Sequence, residues 1–132
     1  MTFESERLAI ESRFHNNWST AIKVVYDNMK YTPVADTPYV RLSLENIESR
    51  QTSLGNSRLW RNNGLIFIDI FVPEHTGTKI LRGYIDTAAA IFRGVTFSGI
   101  VCRAPYQPSP GQVLNGWYQM SIAIPYFVDG VY

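Results

Sequence analysis

One apolar run, Gly64 to Pro73, constrains the fold of this chain more than any other feature. Within it, Leu65 to Val72 is apolar on both faces of an extended strand, with Asp69 as the one exception. A strand with two apolar faces is typical of the interior of a sheet, so we predict that it is central. The Asn63-Gly64 pair before it is a tight-turn signal, and Pro73 ends it.

Length, charge and cysteine usage exclude several classes of protein. The 132 residues predict one domain, large enough to fold without disulfides or metals. A net charge of +1 creates no overall field that would attract nucleic acid or anionic lipid. Cys102 is the single cysteine of the sequence, which excludes an internal disulfide and a cysteine-based zinc site. The start of the chain carries Glu4 and Glu6 and does not resemble a signal peptide, so we expect synthesis in the cytoplasm.

Two helices are predicted from apolar residues at helical spacing. The first runs from about Thr2, a plausible N-cap, to Trp18, and its apolar stripe is Phe3, Ile10, Phe14 and Trp18. The second runs from Thr76 or Thr78 to Arg93, with Gly94 as a stop signal and a threonine as its cap. Its stripe is Leu81, Ile85, Ala88 and Phe92.

The remaining segments predict strands and one protruding arm. Strands are predicted at Ile22–Tyr26, Tyr39–Glu45, Val95–Ser98 and Trp117–Val128. In the second of these, alternation gives one apolar face and one wet or interfacial face, the latter made of Tyr39, Arg41, Ser43 and Glu45. The polar stretch at about 48–63 predicts a hairpin arm that turns at Gly55-Asn56. The order α-β-β-β-β-α-β-β predicts a single α+β domain over residues 1–132. Its sheet is mixed or mostly antiparallel, with two main helices packed on one face.

A search for chemistry gives no catalytic, cofactor or metal site. His15 and His75 lie in no hydrolase or metalloprotease motif, and the acids form no calcium loop. Asp69 in its apolar strand is suited to catalysis, to pairing with an arginine, to capping a backbone group or to a subunit contact. The stretch from His75 to Lys79 lacks the second glycine of a phosphate loop and is better explained as a strand-to-helix turn.

Three arginines lie close together in the polar arm. Arg50, Arg58 and Arg61 flank Trp60, and no acid occurs between Glu48 and Asp69. This pattern is compatible with phosphate contact and base stacking, with pairing to acids of a neighbouring subunit, or with simple solvation.

Several segments occur in a characteristic order along the chain. They are the helical sequence Ile10-Glu11-Ser12-Arg13-Phe14, the strand Pro38-Tyr39-Val40-Arg41-Leu42, the arm from Thr52 to Gly64, the apolar strand Gly64–Pro73, and an alanine-rich helix that ends Ile91-Phe92-Arg93. Together, from about Phe3 to Tyr126, they resemble the tail terminator (tail completion) proteins of long-tailed bacteriophages.

This resemblance implies a structural protein of the virion tail with no catalytic residues, cofactor or membrane contact. Members are α+β domains that form a ring, usually a hexamer, at the head-proximal end of the tail tube. The ring stops tube growth, joins a head-completion or neck protein, and lets DNA pass through its lumen. The candidate subunit-interface or lumen residues are Tyr39, Arg41, Arg50, Arg58, Trp60 and Arg61. The alternatives are a head-completion or neck connector protein, and a small cellular ligand-binding domain with a pocket near Asp69 or His75.

Overall fold

The computed structural model describes residues 2–18, 22–52, 54 and 59–130. Over these residues the chain forms two helices and one sheet of seven strands: α1 (Phe3–Asn17), β1 (Lys23–Tyr26), β2 (Tyr39–Gln51), β3 (Trp60–Pro73), α2 (Lys79–Phe92), β4 (Thr96–Phe97), β5 (Ile100–Cys102), β6 (Gln112–Leu114) and β7 (Trp117–Gly130). The strands lie in the order β1-β2-β3-β7-β5-β4, and β6 pairs with the beginning of β7. Only β1 and β2 are parallel among these described pairs, so the sheet is mixed. The predicted fold class is confirmed.

The strand with two apolar faces is central, as predicted. β3 pairs along its whole length with β7 and, on its other side, with β2. Every second residue from Asn62 to Val72 is buried against the helices, while most of the intervening residues are half-buried. The central position follows from the composition of β3, because an edge position would expose its apolar residues to water.

The polar arm extends β2 and β3 instead of forming separate strands. β2 continues to Gln51 and β3 begins at Trp60, and these two residues are register partners. The Thr52 amide donates to the Leu59 carbonyl at 2.8 Å, which continues the hairpin by one more pair. The turn predicted at Gly55-Asn56 lies outside the described residues.

Helix α1 begins with a capping box in which Thr2 and Ser5 each accept a hydrogen bond from the other's backbone amide. Ile10 and Phe14 are fully buried, as predicted. Phe3, however, is 59% exposed, so the predicted stripe was wrong at its first residue. Phe3 borders an open cavity that is also lined by Ser49, Trp60 and Asn62, so no side chain of the described residues closes over its ring there.

Helix α2 packs on the same face of the sheet as α1. The rings of Phe14 and Phe92 stack with centroids 6.2 Å apart, and both belong to the main core. A threonine is the N-cap residue, as predicted, but Thr78 makes no capping hydrogen bond with its side chain, and the Thr76 hydroxyl donates to the Pro73 carbonyl at 2.6 Å. The Thr76 hydroxyl is therefore bound to the preceding turn and not to the first turn of the helix.

The segment after α2 contains more strands than its pattern indicates. Besides the two predicted strands, β5 and β6 pair with opposite ends of β7. Each has three residues, too few for alternation to be visible in the sequence. Their pairing with β7, a non-local contact, creates them.

Candidate assembly surfaces

We define the second face of the sheet as the face opposite the two helices. Register places alternate residues of the three long strands on it, since directly paired residues share a face. They are Tyr39, Arg41, Ser43, Glu45, Glu48 and Arg50 of β2, Arg61, Asn63, Leu65, Phe67, Asp69 and Phe71 of β3, and Trp117, Gln119, Ser121, Ala123, Pro125, Phe127 and Asp129 of β7. Much of this face is half-exposed, although it carries several large apolar side chains.

Tyr39 lies on the second face as predicted but is covered. Its ring stacks on Phe71 with centroids 4.5 Å apart, meets Trp117 edge-on at 5.3 Å and contacts Tyr31 at 5.0 Å. Only 6% of Tyr39 is exposed, and burial raises the pKa of its hydroxyl. Tyr39 is therefore part of a small aromatic core at one end of this face, whereas its neighbour Arg41 is exposed.

The root of the arm carries a basic cluster on the second face. Arg61 forms a bidentate ion pair with Asp129, with N–O distances of 2.7 and 2.9 Å. The guanidinium groups of Arg61 and Arg103 lie 4.3 and 5.1 Å from the centre of the Phe127 ring. Arg50 is exposed and is the register partner of Arg61. One acid therefore neutralises only part of a cluster of three arginines.

The Arg61–Asp129 pair gives the protein a pH-dependent contribution to stability. Hydrogen bonds from Arg61, with the charges of Arg61 and Arg50, hold the pKa of Asp129 below its usual value. A depressed acid pKa stabilises the fold above the unfolded pKa, about 3.9, and the contribution is lost as pH falls through the folded value. We expect Asp129→Asn to reduce the fall in the free energy of unfolding between pH 5 and pH 2, measured by urea denaturation. The change is small because the pair is largely exposed. An unchanged slope would contradict the assignment.

Asp69 lies on the second face and has a structural partner. Its carboxylate accepts a hydrogen bond from the Ser121 hydroxyl, to which the Gln119 amide donates at 3.4 Å. His75 lies in an exposed turn beside Glu74, and His15 is exposed in α1. Neither histidine hydrogen-bonds to Asp69 in the described part of the chain. The sequence alternative of a pocket around Asp69 and His75 thus gains no support from this geometry.

Other chemistry is equally sparse. Burial raises the pKa of the Cys102 thiol to about 11, which keeps it protonated and unreactive at neutral pH. Among the described residues, no three His, Cys, Asp or Glu side chains lie close enough to hold a metal ion. Neither described helix is long and apolar enough to span a membrane.

The structure divides the six candidate residues among different places. Arg41, Arg50 and Arg61 lie on the second face, and Tyr39 lies there under its aromatic neighbours. Trp60 lies on the opposite side of β3, with the helices. Arg58 lies outside the described residues, so the structure gives no position for it.

Sequence reasoning missed a buried polar group beneath α1. Glu6 is 2% exposed, and its carboxylate accepts hydrogen bonds from the Tyr126 hydroxyl and, at 3.0 Å, from the Asn46 amide. Gly64 permits this contact, because a Cβ there would lie 2.6 Å from the Tyr126 ring. Helical spacing could have found it, since Glu6 lies four residues before Ile10 on the buried face, whereas Glu4 is exposed on another face.

Asn62 is a second missed residue, and its amide is buried. It is 1% exposed, and neither polar atom of its amide has a hydrogen-bond partner among the residues that the structure describes. Strand alternation could have found it, since Asn62 shares a face with Gly64, Ile66 and Ile68. An unpaired buried polar group costs about 1–3 kcal/mol.

We expect Asn62→Leu to raise the free energy of unfolding by roughly 1–2 kcal/mol, because it removes two unpaired groups at similar volume. Urea denaturation of the purified protein measures the change. The same substitution at the half-buried neighbour Asn63, on the other face, is the control and should change stability by less than about 0.5 kcal/mol. A destabilised Asn62→Leu protein would contradict the unpaired state.

Two cavities line the edge of the sheet beside α1. One, of about 690 Å³, lies between α1, the loop after β1 and residues 42–46 of β2. The other, of about 330 Å³, is lined by Phe3, Ser49, Trp60 and Asn62. β1 pairs with Tyr39–Leu42 of β2, so within the described residues β2 has no strand partner on this side from Ser43 to Arg50.

Comparison with known proteins agrees with this architecture. One solved structure, known only by a sequence code, aligns with a TM-score of 0.71 over 100% of this chain and 98% of that chain. Its sequence identity is 20%, so the likeness shows the fold alone. A search of curated proteins gave no match.

A match to a protein family adds the functional class. Residues 7–126 match a family of structural proteins of the bacteriophage tail. The chain belongs to this family, the phage tail terminator proteins, and is accordingly a component of the virion tail.

Proposed function

We propose that this protein forms a ring, usually a hexamer in such proteins, that caps the head-proximal end of the tail tube. The ring stops the addition of tube subunits and presents the surface that joins the head. The family match over residues 7–126 is the observation that carries this proposal. Its partners are then further copies of itself, the tail tube protein and a head-completion or neck protein.

The surfaces of the domain support a ring. A closed ring needs two different patches on each subunit that fit one another. The chain offers the half-exposed second face, the protruding arm and the unpaired edge of β2, which are distinct surfaces. In this arrangement Arg41, Arg50 and Arg61 lie at a subunit junction or face the lumen, where DNA passes without sequence recognition.

The first experiment adds purified protein to tail tubes. Light scattering gives the molar mass of the protein alone, and negative-stain imaging shows where it binds on the tubes. We expect a ring at one end of each tube and no further growth when tube subunits are added. Protein that stays monomeric and leaves tubes bare and growing would refute the proposal.

Charge reversal tests the role of the arginine surface. We expect Arg50→Glu to weaken ring assembly or tail formation, because it replaces an exposed cation of the second face by an acid opposite Arg61. Its control is Lys79→Glu, the same charge change at the start of α2, which should assemble normally. Normal tails from the Arg50→Glu protein would exclude a junction or lumen role for this residue.

A further inference from the structure

The edge of β2 beside α1 has the chemistry of a docking groove for an extended chain. We define the edge groove as the two cavities described above, which share Phe3, together with the edge of β2 from Ser43 to Arg50, which no described strand pairs on this side. Unpaired strand edges accept added strands through backbone hydrogen bonds. The buried amide of Asn62 lines one cavity and has no partner within the described part of the chain, so it is a further group suited to a peptide backbone.

The lining of the edge groove is apolar and acidic. Exposed Phe3 and Met29 lie at its rim, and Leu42 and Leu44 form part of its wall. Its charged residues are Glu6, Glu11, Asp27 and Arg7. Arg7 is bound to Glu4 and Glu11 at 2.5 and 2.6 Å, so Arg7 and Glu11 offset each other, and Glu6 and Asp27 leave the lining net acidic. A complementary segment would carry apolar side chains and arginines.

The arm of this chain has that composition. Leu54 is 94% exposed and Leu59 is 45% exposed, although an isolated domain gains nothing from leucine in water. Arg50 is exposed in the same hairpin, and the sequence from Ser49 to Asn63 has three arginines and no acid. At ~3.3 Å per residue, Glu48 to Leu54 spans about 20 Å, enough to cross a subunit boundary.

The arm cannot fill the groove of its own chain, because it is a direct continuation of the β2 strand that forms the edge. Each copy thus presents one arm and one edge groove, which are two different surfaces. We propose that the edge groove of one copy receives the arm of a neighbouring copy, which adds to the free edge of β2. This inference rests on the proposed ring, and it assigns the contact that closes it.

Cross-linking between differently tagged copies tests the contact. In a Cys102→Ser background, one preparation carries Leu54→Cys and the other Met29→Cys; both sites are strongly exposed, so both proteins should fold. The two are mixed with tail tubes, cross-linked with a short bis-maleimide and analysed for products that contain both tags. The control replaces Met29→Cys with Ile80→Cys, which is 50% exposed on α2.

We expect the product that contains both tags when Leu54→Cys is mixed with Met29→Cys. The same product should be absent when Leu54→Cys is mixed with Ile80→Cys. Rings that cap tubes but give equal yields with both partners would overturn the arm contact and leave the ring intact. Linkage of Leu54→Cys to the tube protein, in place of Met29→Cys, would also overturn it. Absence of rings on tubes would refute both the proposed function and this inference.

Discussion

Gly64→Ala should destabilise this protein by roughly 2–3 kcal/mol, a large effect for the addition of one methyl group. The new Cβ would lie 2.6–2.7 Å from two ring carbons and the hydroxyl oxygen of Tyr126. That ring is 2% exposed, and its hydroxyl is bound to buried Glu6, so it cannot swing into solvent. Relief requires β3 and β7 to separate or the Glu6 hydrogen bond to break.

Gly83→Ala is the matched control for this substitution. Gly83 lies inside α2, and a Cβ there meets no atom within 4 Å. Alanine is favoured over glycine within a helix by about 1 kcal/mol, so this variant should be more stable than the parent. Urea denaturation of both variants gives opposite signs if the Tyr126 contact is responsible. A loss of stability in both would contradict that explanation.

Phe14→Ala should reduce the free energy of unfolding by about 3–5 kcal/mol. Phe14 is fully buried and stacks on both Trp18 and Phe92, so its removal leaves a cavity where the two helices meet. Since small domains are stable by only ~5–15 kcal/mol, part of the purified variant should be unfolded at physiological temperature. Thermal and urea unfolding followed by circular dichroism measure the effect.

Phe3→Ala in the same helix provides the comparison. The sequence places Phe3 and Phe14 on one stripe, but Phe3 is 59% exposed. We expect its replacement to cost less than about 1 kcal/mol and to leave the cooperative transition intact. Equal losses at both positions would mean that Phe3 is covered in solution. Phe3 also lines the edge groove, so weaker assembly of a stable Phe3→Ala protein would support docking there.

The fold was predictable where a local pattern has one physical solution. The apolar run of β3 requires a central strand, and Ile10 and Phe14 require a covered helix face; the structure has both. The strands β5 and β6 were not predictable, because they exist through pairing with β7. The family resemblance, drawn from the order of segments, is confirmed by the match over residues 7–126.

The candidate residues show the limit of sequence reasoning for surfaces. Alternation correctly placed Arg41 on the face opposite the core, and it placed Tyr39 there too. Alternation gives a face but not what lies over it, and Tyr31 and Trp117 cover Tyr39. The contribution of the six candidate residues to subunit contacts stays a prediction that assembly measurements will test.

By itself, the sequence determined the central strand and the helix that covers it, because apolar periodicity acts over a few neighbouring positions, and the order of its segments indicated the family. The tight turn predicted at Asn63-Gly64 was wrong, since both residues pair with β2 and β7 inside β3. Only the tertiary structure decided that Tyr126 and Asn46 bind Glu6 and that, among the described residues, Asn62 has no hydrogen-bond partner and part of β2 has no second strand beside it. Glu6 and Tyr126 are 120 residues apart, and their contact depends on how α1 crosses β7. Such contacts arise from packing of whole elements, which no local pattern encodes.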